Sequence, residues 1–264
     1  MEEELITKLN IKELRLRTQA TAPQGGREPL AGYPVRFFSI FLTWLFARTS
    51  VTPNQLNFTS VILFLTGISL FAFNVYTLNF LGIFIIFISI VFDAADGEVA
   101  RLKKFKPDAG VLYAEPFSHD VQYSLTFIPL TVGAYLATNH VLIVYIGFIA
   151  TVAKLMLRFA KTRFTSLVLK QKKEEMVMSG EPGEPSIKFN PNVSFSHRVY
   201  RFINRNILSS TAFPYPLLVF SLFKRIDLLI WFFAVSFTGL LILNLCKQFP
   251  GVSKMSGRMT KLSV

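Results

Sequence analysis

The sequence predicts an all-α integral membrane protein with six transmembrane helices and an N-terminal segment of amphipathic and interfacial helix. Hydrophobic residues fill 52% of the 264 positions, and charged residues only 17%, below the quarter that is typical of soluble domains. The charges are also segregated, because residues 49–92 contain none. A membrane span needs about 20 mostly apolar residues, so a run of this length holds two helices.

Further runs free of Asp, Glu, Lys and Arg follow at 121–153, 206–223 and 228–246. The first of these again holds two helices and the others hold one each. The predicted spans are 56–75, 79–101, 116–138, 140–165, 206–223 and 228–247. They form a membrane domain over 51–247, in which the polar, Gly- and Pro-containing stretch within 166–205 is predicted to be a linker, followed by a tail at 248–264.

The first 50 residues are predicted to be a separate N-terminal segment. Apolar residues recur at roughly helical spacing over 1–17, which indicates a short amphipathic helix: Leu5, Ile6, Leu9 and Leu16. Residues 20–34 contain several Pro and Gly residues and are predicted to be a loop. Residues 37–47 are apolar but too short to span, and Trp44 suits the headgroup level, so they are interpreted as an interfacial helix. Pro53 suits the first turn of the first span, with Thr52 as its cap.

The distribution of Lys and Arg predicts the orientation of the spans. These residues cluster before residue 49, at 101–106, at 161–205 and after Cys246, whereas the predicted turns at 75–78 and 138–140 have none. Basic residues favour the cytoplasmic side, so both termini are expected there, with only Lys224 and Arg225 outside. The net charge of +12 follows from this bias, and no nucleic-acid partner is expected.

Residues 93–101 carry the most informative pattern in the chain, DxxDGxxAR, at the end of the second span. On a helix, Asp93, Asp96 and Ala100 share one face. Gly97 would let a ligand approach the backbone, and Arg101 ends the helix where a phosphate could meet it. Carboxylates on such a face suit Mg²⁺ or Mn²⁺ together with substrate phosphates. The alternative is that the span ends at Phe92 and the carboxylates are merely solvated.

With its five fixed positions in nine residues, this string resembles the signature of the CDP-alcohol phosphatidyltransferases, integral membrane enzymes of phospholipid synthesis. The resemblance covers about residues 50–165, including Thr52-Pro53-Asn54, which resembles the approach to the first core span of the family. It implies that the five residues of the string, with Asn54, hold the CDP-linked donor. It also implies that Asp93 and Asp96 bind a divalent metal.

The family pattern continues with a glycine, matched by Gly110, and then two Asp residues spaced four apart. Ala114 and Ser118 occupy the expected Asp positions. One residue later stand Glu115 and His119, which would share a helical face if one residue were inserted. The resemblance then implies Glu115 as the third metal ligand and His119 in the place of the last Asp.

Two residues compete for the catalytic base, His119 and Asp120, which lie about 100° apart around a helix. His119 could take the proton of an attacking hydroxyl or bind the metal. The alternative is that both form a structural polar pair between helices. Pro116 is predicted to start this helix.

Lys154, Arg158 and Lys161 lie on one face of the fourth span. Arg158 and Lys154 are deep enough to need a partner, and by resemblance Arg158 would help to bind a phosphate of the acceptor. Lys161 is interpreted as snorkelling to the interface.

The sequence therefore predicts a metal-dependent enzyme that moves a phosphoalcohol group, most simply phosphatidyl, from a CDP-linked lipid or alcohol donor to a hydroxyl acceptor and releases CMP. By resemblance it would be a homodimer, and the placement of Lys and Arg predicts that its site opens to the cytoplasmic leaflet. One alternative is a non-catalytic CDP-lipid-binding membrane protein that has lost the second acid pair. A second is a cation transporter, which would place acids along several spans rather than at one end.

Overall fold

The computed structural model describes residues 9–20, 29–105, 109–179 and 195–262, and these are helical with no strand among them. The first helices are α1 (Ile11–Thr18), α2 (Gly32–Phe46), α3 (Pro53–Ser69) with a 3₁₀ turn at Leu70–Phe73, and α4 (Tyr76–Leu102). After them come α5 (Ala109–Leu125), α6 (Phe127–Thr138), α7 (Leu142–Ser179), α8 (Phe195–Asn206), α9 (Pro214–Leu222) and α10 (Ile226–Leu262).

Within these described ranges, four helices are long and apolar enough to cross a membrane: Pro53–Phe73, Tyr76–Leu102, Leu142–Glu174 and Ile226–Pro250. Their outward faces carry large exposed apolar side chains such as Ile62, Phe84, Phe148 and Val235. An apolar surface of this extent is typical of a lipid-facing protein. The all-helical fold class is thus confirmed for the described residues, with four candidate membrane-spanning helices among them.

Two of the predicted spans are not single long helices in the structure. The third is divided at Thr126, where Pro129 lacks the N–H that would bond the C=O of Leu125. The backbone of Thr126 is still helical, so α5 and α6 continue in nearly one direction. The fifth is helical only over Pro214–Leu222, about 14 Å at 1.5 Å per residue, which is too short to cross alone.

One boundary prediction was wrong, and two predicted segments are helical where the structure describes them. Pro116 lies inside α5 rather than at its start, because the helix already begins at Ala109. The predicted linker at 166–205 is mostly helical where it is described, since α7 extends to Ser179 and α8 covers Phe195–Asn206. The predicted tail continues α10 as far as Leu262. These segments are polar, so a linker and a tail were predicted there. In the structure α7 and α10 continue past their apolar parts into these polar residues.

The N-terminal segment folds against the membrane helices. Asn10 caps α1 in a reciprocal capping box with Glu13, and Leu9 and Leu14 are buried together against α2. Leu16, expected on the apolar face, is exposed, and Leu5 and Ile6 lie outside the described residues. The predicted interfacial helix is α2, which begins at Gly32, within the predicted loop.

The close crossing of α3 and α4 positions the site. The two helices approach at Gly67 and Gly82, where a Cβ added to Gly82 would lie 2.5 Å from the carbonyl oxygen of Gly67. Thr52 caps α3 through Gln55, and Pro53 is its first residue, as predicted. The pairing of α3 with α4 and of α7 with α10 forms the main core, which includes Ile68, Phe71, Ile86, Leu130, Leu217 and Phe233.

Gly82→Ala is expected to lower the stability of the protein by about 1–3 kcal/mol, because its methyl group meets backbone that cannot move alone. Gly239→Ala is the matched control, since a Cβ at Gly239 meets nothing within 4 Å. The thermal unfolding midpoint of the purified protein in detergent measures both. Equal midpoints for the two variants would contradict the close α3–α4 contact.

Candidate active site

A cavity of about 550 Å³ lies between α3, the end of α4 and α5. This volume falls within the range of small-molecule sites. From the DxxDGxxAR string it is lined by Asp96, Gly97 and Ala100, which the helical spacing of α4 places on one face. Asn54 and Glu115 also line it, so five residues singled out by the sequence share one cavity. Its remaining lining is largely apolar and aromatic, including Phe58, Phe105, Tyr113 and Phe117.

A series of hydrogen bonds in the cavity wall links α5 to α3 and α3 to α4. Ser118 Oγ donates to Asn57 Oδ1 at 2.8 Å, and Asn57 Nδ2 donates to Asp96 Oδ2 at 3.4 Å. These hydrogen bonds fix which way the Asn57 amide and the Asp96 carboxylate point. Sequence reasoning missed Asn57 and treated Ser118 only as an unfilled Asp position. The available signal was that Asn57 lies one turn from Asn54 on the same helix face.

Asp93 and His119 lie beside this cavity and face each other. His119 Nε2 is 3.9 Å from Asp93 Oδ1, and the His119 ring stacks on Tyr123 with centroids 6.2 Å apart. The other ring nitrogen, Nδ1, is buried without a hydrogen-bond partner. His119 therefore presents one nitrogen toward the carboxylate of α4 and has one nitrogen with unused hydrogen-bonding capacity.

Asp120 points in another direction, toward α7. Arg158 forms an ion pair with Asp120 through its Nε and donates to Pro116 O at 2.9 Å through Nη2. The angular separation expected for neighbouring helix residues thus gives His119 and Asp120 different partners. His119 thus faces Asp93 of α4, and Asp120 pairs with Arg158 of α7.

Lys154 lies deeper in the bundle than Arg158. Its Nζ donates to Leu208 O at 3.4 Å and sits 4.7 Å from the Tyr123 ring centroid and 4.3 Å from that of Phe237. Aromatic faces and a carbonyl oxygen can hold a buried ammonium group. Neither Lys154 nor Arg158 lines the cavity that contains Asp96.

Arg101 and Gly110 are placed differently from the rest of the predicted donor site. Arg101 Nε donates to Thr18 O at 2.8 Å, at the end of α1, and its guanidinium group lies beside Gly97, where an added Cβ would be 3.3 Å from Nη1. Gly110 is in the first turn of α5, and its surroundings lie outside the described residues.

Glu98, a variable position of the string, is fully buried. Its Oε1 accepts from Arg36 at 3.0 Å, Gln19 at 3.0 Å and Ser39 at 2.7 Å, and its Oε2 accepts from Thr43 at 2.7 Å. Sequence reasoning missed this residue. Its two-residue offset from Asp96, about 200° around a helix, was the signal that it faces away from the cavity, toward α1 and α2.

The donor set near the cavity suits a hard divalent cation. Asp93, Asp96 and Glu115 are close enough to repel one another, and a bound cation would relieve that repulsion. The buried, unpartnered Nδ1 of His119 adds unused polar capacity nearby. Within the described part of the chain, however, no three His, Cys, Asp or Glu side chains converge closely enough to form a metal site.

The residues that line the cavity lie in a segment that matches a known protein family. Residues 50–177 match the family model of the CDP-alcohol phosphatidyltransferases. The matched segment contains α3, α4, α5 and α6 and most of α7. The resemblance of the DxxDGxxAR string is thereby confirmed. No curated protein matches the chain significantly. The match supports a transferase, and together with the four long apolar helices it supports a membrane protein.

Proposed function

We propose that the protein transfers a phosphoalcohol group, in the simplest case phosphatidyl, from a CDP-linked lipid to a hydroxyl acceptor in phospholipid biosynthesis, releasing CMP. The observation that carries the proposal is the cavity between α3, α4 and α5, in which Asp96, Gly97 and Ala100 meet Asn54 and Glu115. Its size suits a nucleotide, and its aromatic walls offer surfaces for a base. The family match supports this donor class.

The donor diphosphate would lie along the face of α4 that carries Asp93, Asp96, Gly97 and Ala100. Gly97 and Ala100 leave this face shallow, so that the diphosphate can approach the helix. Arg101 closes the end of the same string, and its guanidinium group beside Gly97 adds positive charge. Gly110 would allow a similar close approach from α5.

Divalent metal dependence, general in the family, is proposed here with Mg²⁺ or Mn²⁺. Asp93, Asp96 and Glu115 would hold the ion, with His119 as a further ligand, because their chemistry fits and their carboxylates repel one another. When bound, such an ion supplies neutralisation of the diphosphate charge. The protein residues then contribute positioning of the donor and acceptor.

The acceptor hydroxyl attacks the phosphorus that carries the lipid-side oxygen, and the bond to the CMP oxygen breaks. His119 is the proposed base for the hydroxyl proton, since it faces Asp93, whereas Asp120 is already paired with Arg158. Asp120 would position Arg158 to meet a phosphate-bearing acceptor. Lys154 would contribute positive charge from deeper in the bundle.

We further propose six spans, with both termini and the site on the cytoplasmic side, and a homodimer. Support for the third span is the near-continuous helical stretch of α5 and α6, which together are long enough to cross. The basic residues at 101–106 and 161–205 support the cytoplasmic placement of the site.

The departure from the family pattern at Glu115 and His119 favours one alternative, a membrane protein that binds CDP-lipids without turning them over. CMP release by the purified protein, with and without Mg²⁺, separates the two. The enzyme is expected to release CMP with at least one CDP-alcohol, and Asp93→Asn is expected to reduce the release to background. Equal background release by both proteins with every CDP-alcohol would support the binding protein.

The role of His119 can be tested within α5. His119→Ala is expected to lower turnover about 100-fold or more, the usual effect of losing a general base. Ser118→Ala, which removes the hydrogen bonds of the Ser118 hydroxyl to Asn57 and to the carbonyl oxygen of Glu115, is expected to cost far less. Steady-state CMP release measures both. Equal small losses would contradict the one-residue insertion, and a dominant loss in Asp120→Asn would move the base to Asp120.

A further inference from the structure

A second cavity, a groove of about 930 Å³ between α1 and α2, lies outside the site described above. Lys12, Arg15 and Arg36 line it, together with Gln19 and apolar and aromatic side chains. Among the residues that the structure describes, no acidic side chain lines this groove. Its charge is therefore complementary to an anion.

Arg15 extends from the polar part of the groove to its apolar wall, whereas Arg36 pairs with Glu98. The Nε of Arg15 is buried without a hydrogen-bond partner, and its guanidinium carbon lies 5.8 Å from the ring centroid of Phe37. Arg36 reaches the buried Glu98 from the same groove. A buried donor without a partner costs free energy, and an anion bound in the groove would remove this cost.

The apolar side of the groove continues into an exposed apolar surface of α2. Tyr33, Phe37 and Leu16 line the groove and are each more than half exposed. Phe38, Phe41 and Trp44 extend this surface along α2. Aromatic and apolar residues of this kind suit the membrane–water interface. A ligand that fits both parts has an anionic head and an apolar tail.

We propose that the groove between α1 and α2 binds the phosphate headgroup of an anionic phospholipid, with the acyl chains against Phe37 and Leu16. Lys12 and Arg15 bind the phosphate, and Arg36 links the groove to Glu98 on α4. The site is separate from the cavity at Asp96, so the inference does not depend on the proposed enzymatic function.

Native mass spectrometry of the full-length protein in detergent tests this site, with phosphatidylglycerol and phosphatidylcholine added at equal concentrations. The wild type is expected to retain phosphatidylglycerol in preference to phosphatidylcholine. Arg15→Gln and Lys12→Gln are each expected to lower phosphatidylglycerol retention severalfold, and the double variant about tenfold or more, while phosphatidylcholine is unaffected.

Arg17→Gln is the matched control, because it removes the same charge from the same helix at a residue that does not line the groove. It is expected to change phosphatidylglycerol retention less than twofold. Lys12 is exposed, so Lys12→Gln keeps the test valid if Arg15→Gln unfolds the protein. Equal losses in the Lys12 and Arg17 variants would overturn the proposal. So would equal retention of the two lipids, or displacement of phosphatidylglycerol by inorganic phosphate at the same concentration.

Discussion

Asp96→Asn is expected to lower CMP release by about 1000-fold. Asp96 lines the cavity, accepts a hydrogen bond from Asn57 and is a proposed metal ligand together with Asp93 and Glu115. The substitution removes the charge with almost no change of shape. Loss of a group that stabilises transition-state charge commonly costs a factor of about 100 to 1000, and loss of a metal ligand adds to it.

Asp227→Asn is the control for this variant. Asp227 also lies at one end of a membrane helix, but its partner is Arg225, at 2.9 Å, and it does not line the cavity. It is expected to retain CMP release within about twofold, as is usual for substitutions away from a site. Asn57→Ala should lie between the two, since it removes the hydrogen bond to Asp96 and the acceptor used by Ser118 but leaves the Asp96 charge in place. A similar loss in the Asp96 and Asp227 variants would contradict the proposed site.

Glu98→Ala is expected to destabilise the protein by about 3 kcal/mol or more. The substitution leaves Arg36 without its buried counter-ion and removes the acceptor used by Gln19, Ser39 and Thr43. Removing one partner of a buried ion pair typically has a cost of this size, because the other charge stays desolvated. The thermal unfolding midpoint in detergent should fall by several degrees.

Glu98→Gln should destabilise less than Glu98→Ala, because the amide oxygen can still accept a hydrogen bond although the charge is lost. The exposed Glu174 near the end of α7 supplies the control, and Glu174→Ala should leave the midpoint unchanged. If Glu98→Ala and Glu174→Ala unfold at the same temperature, the N-terminal segment is not held by the buried carboxylate.

Hydropathy and capping residues were sufficient to predict helices whose ends are determined by residues close in sequence. The charge-free run at 49–92 predicted α3 and α4, and Thr52 with Pro53 predicted where α3 begins. The break at Thr126 and the shortness of α9 were missed, because hydropathy measures how apolar a segment is and not whether its helix is continuous. Pro116 was misread for a related reason, since packing tolerates a proline inside α5.

The same distinction applies to the site. Helical spacing within α4 predicted that Asp96, Gly97 and Ala100 share a face. By contrast, the bond between Ser118 and Asn57 joins residues 61 positions apart, and that between Thr43 and Glu98 joins residues 55 apart. Such pairs depend on how helices cross and leave no periodic signal along one chain.

Within the DxxDGxxAR string, opposite faces of α4 contact two different regions of the protein. Asp93 and Asp96 face the cavity and α5, whereas Glu98 and Arg101 hold α1 and α2 through Arg36 and Thr18. The string that resembles a family signature thus also anchors the N-terminal segment. The position of α1 and α2 is thereby coupled to the helix that carries the proposed metal ligands.

The central claim is tested most directly by following both products in one reaction. Purified protein in lipid nanodiscs would be incubated with CDP-diacylglycerol, Mg²⁺ and a panel of hydroxyl acceptors that includes glycerol phosphate, inositol phosphate and serine. The proposed transfer predicts that CMP and a new phospholipid form in a one-to-one ratio with at least one acceptor, and that neither forms in Asp93→Asn or after chelation of the metal. Phospholipid and CMP levels that stay at the Asp93→Asn background with every acceptor would contradict it.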